Sequence, residues 1–267
     1  MTHELPPVRV EGIAFWASRL PGWDIARAVI RGEMAAPEAA APRPAPTLLA
    51  PTERRRAPDT VAIALEVAAK ACAAAARAPA DLPSVFASTH GDLAISDNMC
   101  ATLASTPTLI SPVKFHNSVH NAAAGYWSMG TASYAPYTAI SAFHYTFAAG
   151  LLEAVTQAIS EHRPVLYVAF DIEAKGPLGT IAPSRGLLGA ALVLAPLTSD
   201  RPGARLVLQV VTGNAVTPTA ATSPAAGWVS ENALAPCLPL FEALALEKPA
   251  APVFGLSERM ALRVQLS

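Results

Sequence analysis

Charge is scarce in this sequence. Asp, Glu, Lys and Arg make up 15% of 267 residues, and 19 basic against 20 acidic side chains leave a formal net charge of -1. With no basic footprint, neither nucleic acid nor an anionic membrane surface is indicated as a partner. Cysteine is nearly missing too. Cys72, Cys100 and Cys237 are an odd number at wide spacings, with no CxxC, as expected of unpaired thiols in a reducing compartment. No stretch reaches the roughly 18 uninterrupted apolar residues of a spanning helix. The first residues, MTHELPPVRV, carry Glu4 and two prolines and lack an apolar run of signal type, so we expect a soluble, cytoplasmic protein. The glycines at 176, 179, 186 and 189 form no GxGxxG after a strand, and no P-loop occurs, so no nucleotide or other cofactor is expected. Ser118 and Ser141 lack a GxSxG elbow, which argues against a serine hydrolase. No histidine follows His162.

What is present is apolar, chiefly alanine: 52% hydrophobic residues can bury a large core. Residues 8–14 alternate as a strand does, and 23–31 predict a short helix opening after Pro21-Gly22. The stretch 34–51 is nearly all Ala and Pro and is expected to be a solvated surface loop. Residues 57–77 predict a long helix, with Val61, Leu65, Ala68 and Cys72 on one face. Strands are expected at 84–89, 137–141 and 165–170, and helices at 117–131 and 146–162; 187–194 reads as a further strand, although its length alone does not exclude a helix. Such alternation predicts an α/β layer whose parallel strands are joined by helical crossovers. Beyond Gly213 remain a strand at 259–266 and a helix at 232–245, preceded by a strand at 205–211. That is too little for a second α/β domain of ordinary size. We expect a domain over 1–213 and a reduced segment, 214–267, packing on it.

The segment SPVKFHNSVHNAAAGYWSMGTASYAPYTAISAFHYTFAAGLLEA, residues 111–154, carries a more specific signal in its FHNSVHN and AGYWS blocks. RRRAPDTVAIALEVAAKA at 54–71 and VFASTHGDL at 85–93 precede it, and GLLGAALVLAP at 186–196 follows. Over roughly residues 8–212 the chain resembles the β-ketoacyl synthase-like (N-terminal domain) family, in particular the members found beside aryl-polyene ketosynthases. The resemblance implies a thiolase-like half: a five-stranded mixed sheet covered by helices, strand order 3-2-1-4-5, plus a reduced C-terminal remnant. Ketosynthases of this superfamily place a cysteine at the N-terminus of a buried helix, where free N–H groups and the helix dipole favour a thiolate and an oxyanion. Aligned on that pattern, TAISAFHYTFAAG puts His144, to within one residue, where the cysteine belongs, and no cysteine lies within 40 residues of it. The catalytic histidine pair of the family comes from its second half, where this chain has none.

The resemblance therefore implies a non-catalytic, chain-length-factor-like partner of a complete β-ketoacyl synthase subunit in type II fatty-acid/polyketide-like (aryl polyene) biosynthesis. It would be a heterodimer with that subunit, or a homodimer if alone. Tyr137, Thr138, Ala139, Ile140 and Ser141 form the expected edge strand and interface. His116, Asn117, His120, Asn121, Phe143, Tyr145 and Phe147 are the pocket candidates. The aromatic cluster of Tyr126, Trp127, Phe143, Tyr145 and Phe147 is either core packing or the wall of an acyl channel. Acyl carrier protein is a second candidate partner through Arg54, Arg55 and Arg56, against the plainer reading of a solvated helix start. His116 and His120 are four residues apart, a zinc-like spacing with His144, His90 or Asp92 as third ligand, but without HExxH they are better read as hydrogen-bonded structural histidines, and no metal is expected. The competing class is a stand-alone acyltransferase or thioester hydrolase using His144 with His116 or His120. A homodimeric scaffold without acyl function is the third.

Overall fold

The computed structural model describes residues 2–213 and 217–267. The chain opens with β1 (Thr2–Glu4) and β2 (Val8–Ala17), turns through β3 (Leu20–Pro21) into α1 (Trp23–Ile30), and crosses an irregular Ala/Pro stretch to α2 (Pro51–Arg56) and α3 (Asp59–Ala74). Next come β4 (Ser84–Ala87), α4 (Leu93–Ser105), α5 (Pro112–Ser118), α6 (Ala122–Thr131), β5 (Tyr137–Ile140), α7 (Thr146–Ser160), β6 (Val165–Asp171), β7 (Leu188–Pro196) and β8 (Ala204–Thr212). The last elements are α8 (Ala226–Val229), α9 (Leu238–Leu246), β9 (Val253–Ser257) and β10 (Met260–Leu266).

All strands join one sheet in the order β5-β4-β6-β7-β2-β8-β10-β9, with β1 on β8 and β3 on β2. β5, β4 and β6 are parallel, and every other pairing is antiparallel. The α/β class and the helix-covered mixed sheet are as expected; the strand order is not. Numbered as in the sequence reading, the five strands run 3-2-4-5-1 rather than 3-2-1-4-5. β6 pairs directly with β4 in the place assigned to the first strand, and β7 follows β6 as its expected neighbour, antiparallel and without a helical crossover. That first strand, β2, pairs beyond it from Val8↔Pro196 to Ala17↔Leu188. The edge position of β5 holds: its one neighbour is β4.

Apolar side chains fill both faces. On one, α3 and α6 cover Phe86, Val168 and Phe170; on the other, α7, α1 and α9 cover Val85, Tyr167 and Leu192. The aromatic cluster read from the sequence is thereby divided, with Tyr126 and Trp127 in the α3 face and Phe147 in the α7 face. β10 continues the sheet on β8 from Met260↔Thr212 to Leu266↔Leu206. α9 meets α1 through Phe241, whose ring lies 5.3 Å from Phe15 and 5.9 Å from Trp23. The start of the expected 214–267 segment, residues 214–216, lies outside the described residues. Among the described residues no helix is long and apolar enough to cross a membrane.

Three helix boundaries differ from expectation. The helix expected at 117–131 is two helices, because Val119 is extended (φ -75, ψ 139) and turns the chain between them. α4 was not anticipated: it buries only Leu93 and Met99, so its apolar residues carry no helical repeat, and its clearest signal is Asp92, which caps it by accepting from the Ile95 N–H at 3.0 Å. α9 begins later than 232 because the Asn232 side chain is engaged with the Asp171, Arg185 and Gly186 carbonyls.

α3 lies so close to β2 that a Cβ at Gly12 would come within 2.2 Å of the Ala71 carbonyl oxygen and 2.9 Å of the Ala75 Cβ. Gly12→Ala is expected to cost about 2–4 kcal/mol by forcing the helix off the sheet. Gly125→Ala, inside α6 with nothing within 4 Å of the added carbon, should instead gain about 0.5–1 kcal/mol. Urea unfolding of the two variants measures both.

Candidate functional site

The parallel strands β4, β5 and β6 end on the same side of the sheet, the position where open α/β sheets place their sites. β6 ends on Asp171, which has no solvent exposure. Its Oδ1 accepts from the Ser88 hydroxyl at 2.9 Å and the Thr89 N–H at 2.9 Å, with the His90 N–H at 3.4 Å. Burial nevertheless outweighs these bonds and pushes the Asp171 carboxyl up to about 6. Ser88 in turn accepts from the Gly91 N–H at 2.9 Å, so the carboxylate fixes the whole turn after β4. Two of the expected residues tie onto that turn. The His120 ring nitrogen Nε2 donates to the Ser88 carbonyl at 2.8 Å, and the Ser141 hydroxyl to the Thr89 carbonyl at 3.0 Å.

β5 runs into a sharp turn, a 3-10 segment over Phe143–Tyr145, and then into α7. Phe143 has φ 50, a left-handed conformation that a bulky side chain adopts only under constraint. Thr146 supplies that constraint by donating its hydroxyl to the Phe143 carbonyl at 2.7 Å and accepting from the Ala142 N–H at 2.9 Å. His144 thus sits in the strand-to-helix turn and not within the helix, exposed, with its ring 3.8 Å from that of Phe143. Tyr145 packs over Gly255, and Phe147 lies between Tyr167 and Phe254 at 5.8 and 5.4 Å. His144, Tyr145 and Phe147 line a cavity of about 200 Å³ closed by Pro218, Thr219, Pro236 and Phe254.

The other expected residues diverge. His116 and His120 share no helix face, since the break at Val119 separates them, and His116 lies edge-on to Tyr126 at 5.6 Å. Asn117 is buried and reaches the Arg56 carbonyl at 3.5 Å. Asn121 donates to the Tyr137 hydroxyl at 3.1 Å, tying the start of α6 to the edge strand. The histidine facing His144 is His90, held below its usual range by burial and then by His144 itself. Among the described residues no three His, Cys, Asp or Glu side chains are grouped to hold a metal. Arg54 is engaged with the Leu49 carbonyl at 2.9 Å and the Thr47 carbonyl at 3.3 Å, leaving Arg55 and Arg56 as the exposed members of the basic run.

Residues 30–251 match the family described as beta-ketoacyl synthase, N-terminal domain. The chain belongs to this family. Its fold is that of solved ketosynthase chains. A ketosynthase in complex with its chain length factor, from Xenorhabdus doucetiae, superposes with a TM-score of 0.72 at 19% identity, covering 98% of this chain and 100% of the matched one. A type II polyketide synthase acyl-carrier protein in complex with its hexaketide-bound ketosynthase gives a TM-score of 0.76 at 11% identity, with 98% and 99% covered. The ishigamide ketosynthase/chain length factor gives 0.70 at 15% identity, again covering 98% and 99%. No curated protein sequence matches the chain.

Within this thiolase-like ketosynthase fold none of the chain's thiols stands at the turn. Cys72 is buried in α3, with its pKa pushed up to about 12 by burial; Cys237 is buried and raised for the same reason; Cys100 is exposed on α4. The residue that sequence reasoning missed is Asp171. Its one signal is an acid closing the apolar strand VLYVAFD.

A carboxyl that holds its proton more tightly in the fold than in the unfolded chain favours the fold fully only below the unfolded value of 3.8, and that advantage is lost as pH rises through about 6. The difference is worth about 3 kcal/mol. Asp171→Asn keeps an acceptor for Ser88 and Thr89 without the charge. The wild-type chain should therefore lose stability relative to Asp171→Asn between pH 4 and 6, and urea titrations showing parallel pH profiles would contradict the shift.

Proposed function

We propose that the chain is a non-catalytic, chain-length-factor-like partner of a complete β-ketoacyl synthase, acting in type II polyketide-like synthesis of the aryl polyene kind. The observation that carries this reading is the strand-to-helix turn at 142–146, which holds Phe143 and His144 and no cysteine. His144 takes the position of the lost nucleophile, beside a small aromatic cavity. With no histidine after His162, the partner would supply both nucleophile and histidine pair. The full-length likeness to chains of ketosynthase/chain length factor complexes supports the same reading. In that arrangement residues 1–213 form the ketosynthase-like domain and 214–267 a reduced segment packed on it, in a cytoplasmic assembly that acyl carrier protein visits.

The open edge of β5 and, separately, the apolar stretch from α4 to α5 suit such a partner. Tyr137 to Ile140 have one paired edge, and Tyr137 is 40% exposed. From Cys100 to Val119 the chain carries one formal charge, Lys114, while Leu109 is 72% and Phe115 60% exposed. Open edges and exposed apolar side chains call for cover. The hydrolase or acyltransferase reading gains little from the geometry, because His120 is committed to the Ser88 carbonyl and His116 to Tyr126.

Two outcomes test this. The purified chain, offered acyl-CoA or acylated carrier protein, should form no covalent adduct, whereas stoichiometric acylation at His144 or any cysteine by intact-mass spectrometry would reverse the assignment. In a co-expressed pair, Ala139→Pro should weaken association with the ketosynthase at least tenfold by light scattering, while Lys175→Ala, exposed and outside the β5 edge, leaves it unchanged. One lost ladder bond is worth only about 0.5–1.5 kcal/mol, so the proline ring must also obstruct the partner strand.

A further inference from the structure

The hydrogen-bond ladder of the N-terminal strand has a gap far from β5. On the side away from β7, β8 covers β2 as far as Val10, opposite Ala204. β3 resumes the cover with Trp16 opposite Pro21 and Ala17 opposite Leu20. Between them, among the described residues, no strand pairs with 11–15 on this side, although β7 pairs with 12–15 on the other. Pro21 has no N–H, so Ala17 and Leu20 are the pair that exchanges hydrogen bonds, and the backbone of Ala17 points at β3. The two-residue repeat of a strand then aims the N–H and C=O groups of Phe15 and Ile13 into the gap.

The gap opens into a cavity of about 490 Å³. Trp23 and Pro21 form one wall, and Val67, Ala74, Glu66 and Lys70 of α3 the other. Among the described residues neither Glu66 nor Lys70 forms an ion pair, and their charges cancel; the third charged lining residue, Asp24, is paired with Arg27 at 3.7 Å, so the slot sets little demand for net charge.

We propose that this slot is a strand-addition site that takes an extended, proline-free segment of four to five residues, with bulky apolar side chains, from another protein. Alternating donors and acceptors on Ile13 and Phe15 match an extended backbone and not a compact small molecule. Five strand residues span roughly 16 Å, which sets the length. A proline in the segment would delete a rung. Ile13, Pro21 and Trp23, half-buried in the lining, set the preference for apolar side chains. The slot lies five strand positions from β5, roughly 24 Å across the sheet, so it is independent of the proposed ketosynthase contact.

The test uses the full chain and the pentapeptide acetyl-Val-Thr-Val-Thr-Val-amide, followed by tryptophan fluorescence and by amide hydrogen exchange resolved at Ile13 and Phe15. Saturable binding is expected, with exchange at these two amides slowed at least tenfold. Ala74→Trp and, as a second variant, Lys70→Trp place an indole in the slot from exposed helix positions and should weaken binding at least tenfold with unchanged circular dichroism. N-methylation of alternate peptide amides should abolish it. No protection at millimolar peptide, or protection indifferent to both the variants and N-methylation, would overturn the proposal. So would protection that follows chain concentration without peptide, since the occupant would then be a second copy.

Discussion

A carboxylate cut off from solvent must be fully hydrogen-bonded or neutral, and Asp171 meets that demand by recruiting the chain around it. Its side chain gathers the Ser88 hydroxyl and the N–H groups of the turn after β4, while its carbonyl accepts from Asn232 at 3.3 Å. Ser88 then presents its carbonyl to His120, and Thr89 to Ser141. The ends of β4, β5 and β6, the joint between α5 and α6, and the segment leading to α9 are thus held by one buried group. Without it the turn would leave several buried donors unpaired, each costing about 1–3 kcal/mol.

The same strand ends give the family's site its shape. The left-handed backbone at Phe143 is what a strand needs to enter a helix abruptly, and Thr146 holds it there. The turn presents two aromatic rings in contact with each other. Under the proposed function the turn acts as a wall in place of a nucleophile.

The sequence made some of this legible for identifiable reasons. β6 and β7 announce themselves as apolar runs because both their faces are buried, and β5 could be placed at an edge because the resemblance supplied a topology. Strand order differs at β2, which lies beyond β7 and not between β4 and β6, because an apolar alternation shows that a strand is half-buried but not which strands flank it. α4 was missed because a helix exposed along most of its length has no apolar repeat to display. The break at Val119 and the burial of Asp171 depend on contacts more than 30 residues away, with Ser88 in both cases, and no local pattern encodes them. Of the candidate residues, His120, Ser141 and His144 do converge on one side of the sheet, whereas His116 and Asn117 belong to the packing of α5 against α6.

The bare outer edge of β5 has a further consequence for how much of this chain a cell can hold. A parallel strand paired on one side, with an exposed tyrosine at its start, is a template for any extended segment it meets. Chains made in excess of whatever covers that edge enter a concentration-dependent competition between correct pairing and precipitation. Balanced dosage, and synthesis close in time and space to the covering subunit, then become requirements of the sheet itself.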